Sequence, residues 1–374
     1  MSNKRIFAEI KLENALKNME AFKNNINKDT RIIAVIKADG YGHGSVKLAH
    51  TIENLDYLYG FAVATAEEAL ELRNNDVKKP ILILGYTFND DYEELIKNNV
   101  TLCVFTKTML KEINEAACKC KLDAKVHIKV DTGMSRIGIK PDNKGLEIVK
   151  YAVELDNINV EGMFTHFSKA DETDKTFTKG QIEKYLSFNR LLEENGINIK
   201  YKHISNSAGI IEIKDANLDI VRAGITLYGL WPSNEVSKEI IDLYPLMTLK
   251  SSVVYVKTID KDTMVSYGGT YCAKDNVKIA TIPCGYADGI PRGLSNKGQV
   301  LIHGKRCNIV GRVCMDQFMV DVSHIDDINV LDEVVIIGTQ GNETITAEEV
   351  GDISGRFNYE LVCEISKRVP RVYL

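Results

Sequence analysis

Five points along the chain place polar or charged side chains at the end of an apolar run. Lys37 closes Ile32-Ile33-Ala34-Val35-Ile36, and Lys129 and Asp131 close "KVHIKVD", with Arg136 just beyond. His166 ends "VEGMFTHF", and His203, Asn206 and Ser207 follow one another in "HISNSAG". Arg222 ends "LDIVRAG", where Gly224 and Ile225 come next. Lysine at the end of a buried strand is expensive to desolvate unless its amine is used. A strand-end lysine suits a Schiff base, and the unencumbered N–H groups and hydroxyl of "NSAG" and "AGI" suit a phosphate. Pyridoxal phosphate meets both descriptions. So do phosphate-binding barrels that form Schiff bases with sugars, and these residues alone leave both open.

The elements that must hold these residues alternate. Candidate strands are "RIIAVIKA", "YLYGFAVA", "PILILGY", "TLCVF", "KVHIKVD", "VEGMFTHF", "YKHISN" and "LDIVRAG". Between most of them lie amphipathic stretches such as "TAEEALELRNN" and "QIEKYLSFNRLLEENG". Continuous apolar strands alternating with helices imply a parallel sheet buried on both faces. Eight such units suit a (β/α)8 barrel, whose chemistry sits where strands end. A doubly wound sheet would announce itself with GxGxxG after its first strand, and that motif is absent. Past "LYGLWPSNE" short alternating strands take over: "LKSSVVYVKTI", "VKIATIPCGY", "QVLIHGKRCNIVGRVCMDQFMVDV" and "DEVVIIG", with one helical piece, "TAEEVGDISG". We therefore expect a barrel over 1–238 and a mainly antiparallel β domain over 239–374.

Bulk properties exclude several function classes. At 374 residues the chain exceeds a single ordinary core, and a net charge of −5 gives no electrostatic case for nucleic acid or an anionic membrane. No stretch approaches the length of a membrane span, and "MSNKRIFAEIKLENAL" has no signal-peptide core. The 8 cysteines form no CxxC pair and no metal-ligand spacing, so no metal is expected. The expectation is a soluble cytoplasmic protein.

The motifs "AVIKADGYGHG", "KVDTGMSRIG", "THFSKADE", "HISNSA", "VRAGITLYG", "VSYGGTY", "GYADG", "VGRVCMDQ" and "RFNYE" run in order along nearly the whole chain. Together they closely resemble those of the alanine racemases, pyridoxal-phosphate enzymes of the barrel fold type. The resemblance implies that Lys37 holds the cofactor as a Schiff base and, once released, acts as base on D-alanine. Tyr267 would be the opposing base for L-alanine, contributed by the second subunit of a head-to-tail homodimer and activated by His166. Arg222, oriented by His203, would face the pyridine nitrogen. Tyr41, Ser207, the backbone of Gly224 and Ile225, and Tyr359 would hold the phosphate. Arg136 would contact the cofactor's phenolic oxygen and the substrate carboxylate, steadied by a carbamylated Lys129. Met315 and Asp316 would border the substrate from the partner subunit. Asp171, Tyr286, Arg292 and Arg312 would shape a narrow polar entrance. Asp39 and His43, given no role by the resemblance, are expected to make loop hydrogen bonds. Departures from the family pattern are modest: Ser168 and Lys169 in "HFSKADE", Phe357 in "RFNYE", and no tryptophan in "RIFAEI".

Two other readings compete. A serine or broad-specificity racemase would use the same scaffold, but serine-selective relatives change the residue at Tyr359, and the broad-specificity ones carry a signal peptide. A non-catalytic pyridoxal-phosphate protein resembles the barrel alone and would have no use for a β domain bearing Tyr267. Decarboxylases of this fold would show a glycine-rich phosphate loop, which is missing. The function expected is interconversion of L- and D-alanine, supplying D-alanine for peptidoglycan.

Overall fold

Residues 5–374 are described by a computed structural model, and they fall into two compact units. The first comprises Ala15–Gly40 and Ser45–Tyr244. Its eight strands are all parallel: Arg31–Val35, Leu58–Val63, Ile81–Ile83, Val100–Val104, Ala124–Lys129, Ile158–Phe164, Tyr201–His203 and Ile220–Ala223. Arg31–Val35 pairs with both Leu58–Val63 and Ile220–Ala223, so the last strand returns beside the first. The remaining seam is joined where the Arg222 N–H donates to Ser205 O at 3.1 Å. This is the expected (β/α)8 barrel. Its strands are apolar throughout because both faces are covered, as in Leu58–Val63, where all six residues are buried. Helices start at side-chain caps: Thr65 accepts from the Glu68 N–H, Thr106 from Met109, and Asp142 from Lys144 and Gly145.

The second unit comprises the described residues up to Asn14, Tyr41–Gly44 and Pro245–Leu374. Its main sheet runs in the order Tyr255–Ile259, Val277–Ile282, Phe318–Asp321, Lys305–Val310, Gln299–Ile302, Glu333–Gln340, Met247–Ser252, Ile6–Ile10, Arg371–Tyr373. Every pairing in this order is antiparallel except the last, in which Ile6–Ile10 lies parallel to Arg371–Tyr373.

The contiguous division at 238/239 thus gives way to an interleaved one. The strand Ile6–Ile10 belongs with the second unit because its hydrogen-bonding edges are taken by Met247–Ser252 and Arg371–Tyr373. A half-buried charge cluster reinforces that register, with Lys250 Nζ 3.0 Å from the buried Glu9 and 3.1 Å from the exposed Glu333. The run "LKSSVVYVKTI", read from sequence as one strand, is two. At Val253 and Val254 the chain changes partners, the Val253 N–H donating to Asp332 O and that of Val254 to Thr281 O. Among the described residues no helix is long and apolar enough to cross a membrane.

Candidate active site

In the barrel unit Arg222 organises the strand ends. Its side chain is 3% exposed, and its Nη1 donates to His203 Nδ1 (2.9 Å) and His203 O (3.0 Å). Nη2 donates to Thr165 O (2.7 Å) and Ile204 O (3.1 Å) and lies 3.4 Å from His166 Nδ1. All these partners are neutral. Burial pulls the guanidinium down to about 10, so it is still a cation at neutral pH. Among the described residues no acceptor takes its Nε–H.

The acceptors fix the tautomers. Arginine can only donate, so His203 accepts at Nδ1 and carries its proton on Nε2. That proton goes to His127 Nδ1, 2.9 Å away, which places the His127 proton on Nε2. Burial, with the Arg222 charge second, drives His127 down to about 3 and His203 well below its ordinary range. His203 also stacks on Phe164 at 4.9 Å, with 6° between the planes. His127 packs against Gly162, where a Cβ would come within 2.6 Å of the imidazole. Sequence reasoning passed over His127. The available signal was parity: it lies two residues before Lys129 in one strand, on the same face.

His166 is half-buried and held from behind by Gln181, whose Nε2 donates to His166 O while its Oε1 accepts the Ser168 N–H, both at 3.1 Å. Desolvation, followed by the charges of Arg222, Arg136, Lys129 and Lys37, keeps His166 neutral. Four basic side chains, carried at three strand ends, thus bear on one imidazole. Lys129 is buried, donates to Val130 O at 2.8 Å and sits 5.5 Å from the Phe164 ring centroid. Burial brings its amine down to about 8. Arg136 is exposed, beyond a loop that folds around Asp131, which accepts the Gly133 and Ser135 N–H groups at 3.0 Å each. Ser207 Oγ accepts from the Gly224 N–H and from Thr226 Oγ1, each at 3.0 Å. Its own proton is left to donate elsewhere. Asp171 follows the sixth strand, its carbonyl bonded by Ser233 Oγ at 3.0 Å.

Lys37 begins a left-handed turn: Ala38 and Asp39 have φ of 51°, Gly40 of 59° and Tyr41 of 50°. Gly40 pays no Cβ penalty there, whereas each of the others costs on the order of 1–2 kcal/mol. Asp39 accepts the Ser45 N–H at 3.0 Å, and His43 Nδ1 lies 2.9 Å from Tyr41 O, the loop bonds expected for these two residues.

The second unit holds the remaining candidates. Tyr41 and Tyr359 face each other with ring centroids 6.1 Å apart, and Tyr359 stacks on Phe357 at 4.4 Å. Gly42 follows at φ +78°, so close to Val362 O that a Cβ would collide with it. Tyr267 rides a turn between the paired strands Met264–Val265 and Tyr271–Cys272 and is 70% exposed. Ser266 Oγ anchors that turn by donating to Arg312 O at 2.7 Å. Tyr286 and Met315, both exposed, are tied together because the Tyr286 N–H donates to Cys314 O and that of Ala287 to Met315 O. Asp316 is paired with Arg368 at 2.8 Å, and Arg292 is exposed at the start of a short turn. Among the described residues no group of His, Cys, Asp and Glu could hold a metal ion.

A (β/α)8 barrel that carries a lysine, a buried arginine with neutral partners and a serine hydroxyl at its strand ends has the build of a barrel enzyme. Models of the alanine racemase N-terminal and C-terminal domains match residues 10–232 and 246–373. Alanine racemase of Methanococcus maripaludis is 47% identical over 99% of this chain and 98% of its own length. That of Clostridium perfringens is 46% identical over 98% and 95%. The solved alanine racemase of Clostridium difficile 630 superposes with a TM-score of 0.95 at 41% identity, covering 100% of this chain and 97% of that one. A Bacillus anthracis alanine racemase structure with bound L-Ala-P has a TM-score of 0.93 at 36% identity, covering 100% and 96%. The chain belongs to the alanine racemase family.

Keeping His127 neutral has a cost at low pH. Its folded value of about 3 lies below an unfolded value of about 6.5. The native state therefore excludes a proton that the unfolded chain takes up. The contribution is complete above pH 6.5 and is lost as pH falls towards 3. Between pH 7 and pH 5 this histidine alone should remove about 2 kcal/mol of stability. Urea unfolding of wild type and His127→Gln at both pH values checks it: the wild type should lose more stability on acidification. Equal losses would contradict the linkage.

Proposed function

We propose that this chain interconverts L- and D-alanine on pyridoxal phosphate, using Lys37 and Tyr267 as opposed bases, with Tyr267 supplied by a second copy of the chain. The supporting observation is the cationic mouth: Arg222 with only neutral partners, and Lys129, Arg136 and Lys37 around His166. Such a site calls for anions. A phosphate and an amino-acid carboxylate supply them, and the residues present fit pyridoxal phosphate. Lys37 would hold it, Arg222 would present its Nε–H to the ring nitrogen, and Ser207, Gly224, Ile225, Tyr41 and Tyr359 would take the phosphate. Bound there, the cofactor supplies an electron sink for the negative charge left on the substrate's α-carbon.

The chain's own residues do the rest. Racemisation removes a proton from one face and returns one to the other, which requires two groups on opposite sides. Lys37 serves one face. A phenol is a weak base at its free value of about 10. His166 accepts from Arg222 at Nδ1 and so carries its proton on Nε2, from which it can donate to a phenolate oxygen and stabilise it. The 70% exposure of Tyr267 on its turn supports the reading that it serves another copy's site. Arg136 would orient the substrate carboxylate, a task its planar fork suits. Met315 and Asp316 would border the substrate, and Asp171, Tyr286, Arg292 and Arg312 the entrance. Lys129, brought to about 8 by burial, has more of the neutral amine that adds carbon dioxide, and a carbamate there would steady Arg136. The reading extends to a cytoplasmic homodimer making D-alanine for peptidoglycan.

The test is L-alanine in deuterated water, following optical rotation and α-deuterium, with serine as comparison substrate. Alanine should racemise with deuterium uptake, and cofactor-loaded protein that racemises neither enantiomer would refute the assignment. Lys37→Ala should lose the cofactor's bound absorbance and all activity. Tyr267→Ala should keep the colour and lose racemisation by at least about 100-fold. Near wild-type turnover in that variant would rule out the two-base scheme. Native mass spectrometry should show one added carbon dioxide, absent in Lys129→Arg, whereas an unmodified mass for the intact protein would exclude the carbamate.

A further inference from the structure

The turn that follows Lys37 has to be held against its preference, since Ala38, Asp39 and Tyr41 all lie in the left-handed region. Its first N–H, that of Ala38, is taken by Glu68 Oε1 at 2.6 Å. The other oxygen of the same carboxylate accepts the Ala64 N–H at 2.8 Å. Ala64 immediately follows the strand Leu58–Val63, which pairs beside Arg31–Val35. One carboxylate thus clips the end of the second barrel strand to the residue after Lys37.

Glu68 occupies the third position of the helix Ala66–Asn74, whose cap Thr65 accepts the Glu68 N–H. In "TAEE" this is the spacing of a capping box, in which the glutamate turns back to the cap residue's own N–H. Here both oxygens go elsewhere. Thr65 caps the helix, and Glu68 spends its carboxylate on backbone outside it. Without that acceptor the Ala38 N–H would lose its partner, and the left-handed residues would be free to relax towards ordinary φ. The side chain moved by such a relaxation is that of Lys37, one bond along.

We infer that Glu68 is a positioning residue that holds Lys37 in register with the rest of the barrel mouth through the Ala38 N–H. The inference rests on the proposed role of Lys37. Glu68→Gln keeps the shape but sets an NH2 group against one of the two N–H donors, and Glu68→Ala removes both bonds. Thr65→Ala is the control, breaking the helix cap while leaving the clip.

Two readouts separate positioning from helix stability. In the cofactor-free chain, amide exchange of residues 36–41 should accelerate in both Glu68 variants and stay unchanged in Thr65→Ala. In the cofactor-loaded enzyme, kcat should fall about 10-fold in Glu68→Gln and about 100-fold in Glu68→Ala, with KM within about threefold, because a misplacement near 1 Å carries a loss of that size. Thr65→Ala should lower the melting temperature and keep kcat within about twofold. Should Glu68→Ala not fold, the near-isosteric glutamine variant carries both readings. Wild-type kcat in the glutamine variant, unchanged exchange at 36–41, or an equal activity loss in Thr65→Ala would overturn the assignment. A wild type that does not racemise alanine would instead overturn the proposed function, and the exchange result would still decide the role of Glu68.

Discussion

A guanidinium buried among neutral partners is the constraint on which the barrel mouth depends. Removing a charge from water is costly unless something compensates, and Arg222 has imidazole and carbonyl acceptors in place of a carboxylate. That choice propagates. It forces His203 to accept, which forces His203 to donate to His127, while burial first and the Arg222 charge second keep all three nearby imidazoles neutral. A carboxylate partner would satisfy Arg222 and discharge the pocket. Neutral acceptors leave the positive charge uncancelled, where the anions of the proposed function would meet it.

Much of the barrel was legible in the sequence because its signal is local. Buried parallel strands are continuous apolar runs, and a polar residue closing each run marks the mouth. Lys37, Lys129, His166, His203 and Arg222 were all picked out this way, and the His203–Arg222 bond expected from the resemblance is present at 2.9 Å. Features that depend on distant pairing were not legible. Ile6–Ile10 is a strand only because Met247–Ser252 and Arg371–Tyr373 flank it, hundreds of residues away. His127 looks like an ordinary core histidine until its neighbour's tautomer is known.

The left-handed turn after Lys37 was hidden for a different reason. Glycines at 40 and 42 announce a bend, but Ala38, Asp39 and Tyr41 carry no such signal, and the bonds that hold them come from other elements. Local sequence specifies where the chain turns here, and tertiary contacts specify its hand. Strain of this kind next to Lys37 is tolerated because the surroundings over-determine it.

The central claim is that one site draws Lys37 from one copy and Tyr267 from another. The most direct measurement mixes Lys37→Ala with Tyr267→Ala, each inactive alone, under conditions that exchange subunits. In a mixed dimer one site would have lost both bases and the other would have kept both. An equal mixture should therefore recover about a quarter of wild-type racemase activity, half the dimers being mixed with one working site in two. If both bases come from a single chain, every site in the mixture lacks one of them. No recovery despite demonstrated subunit exchange would contradict the shared site.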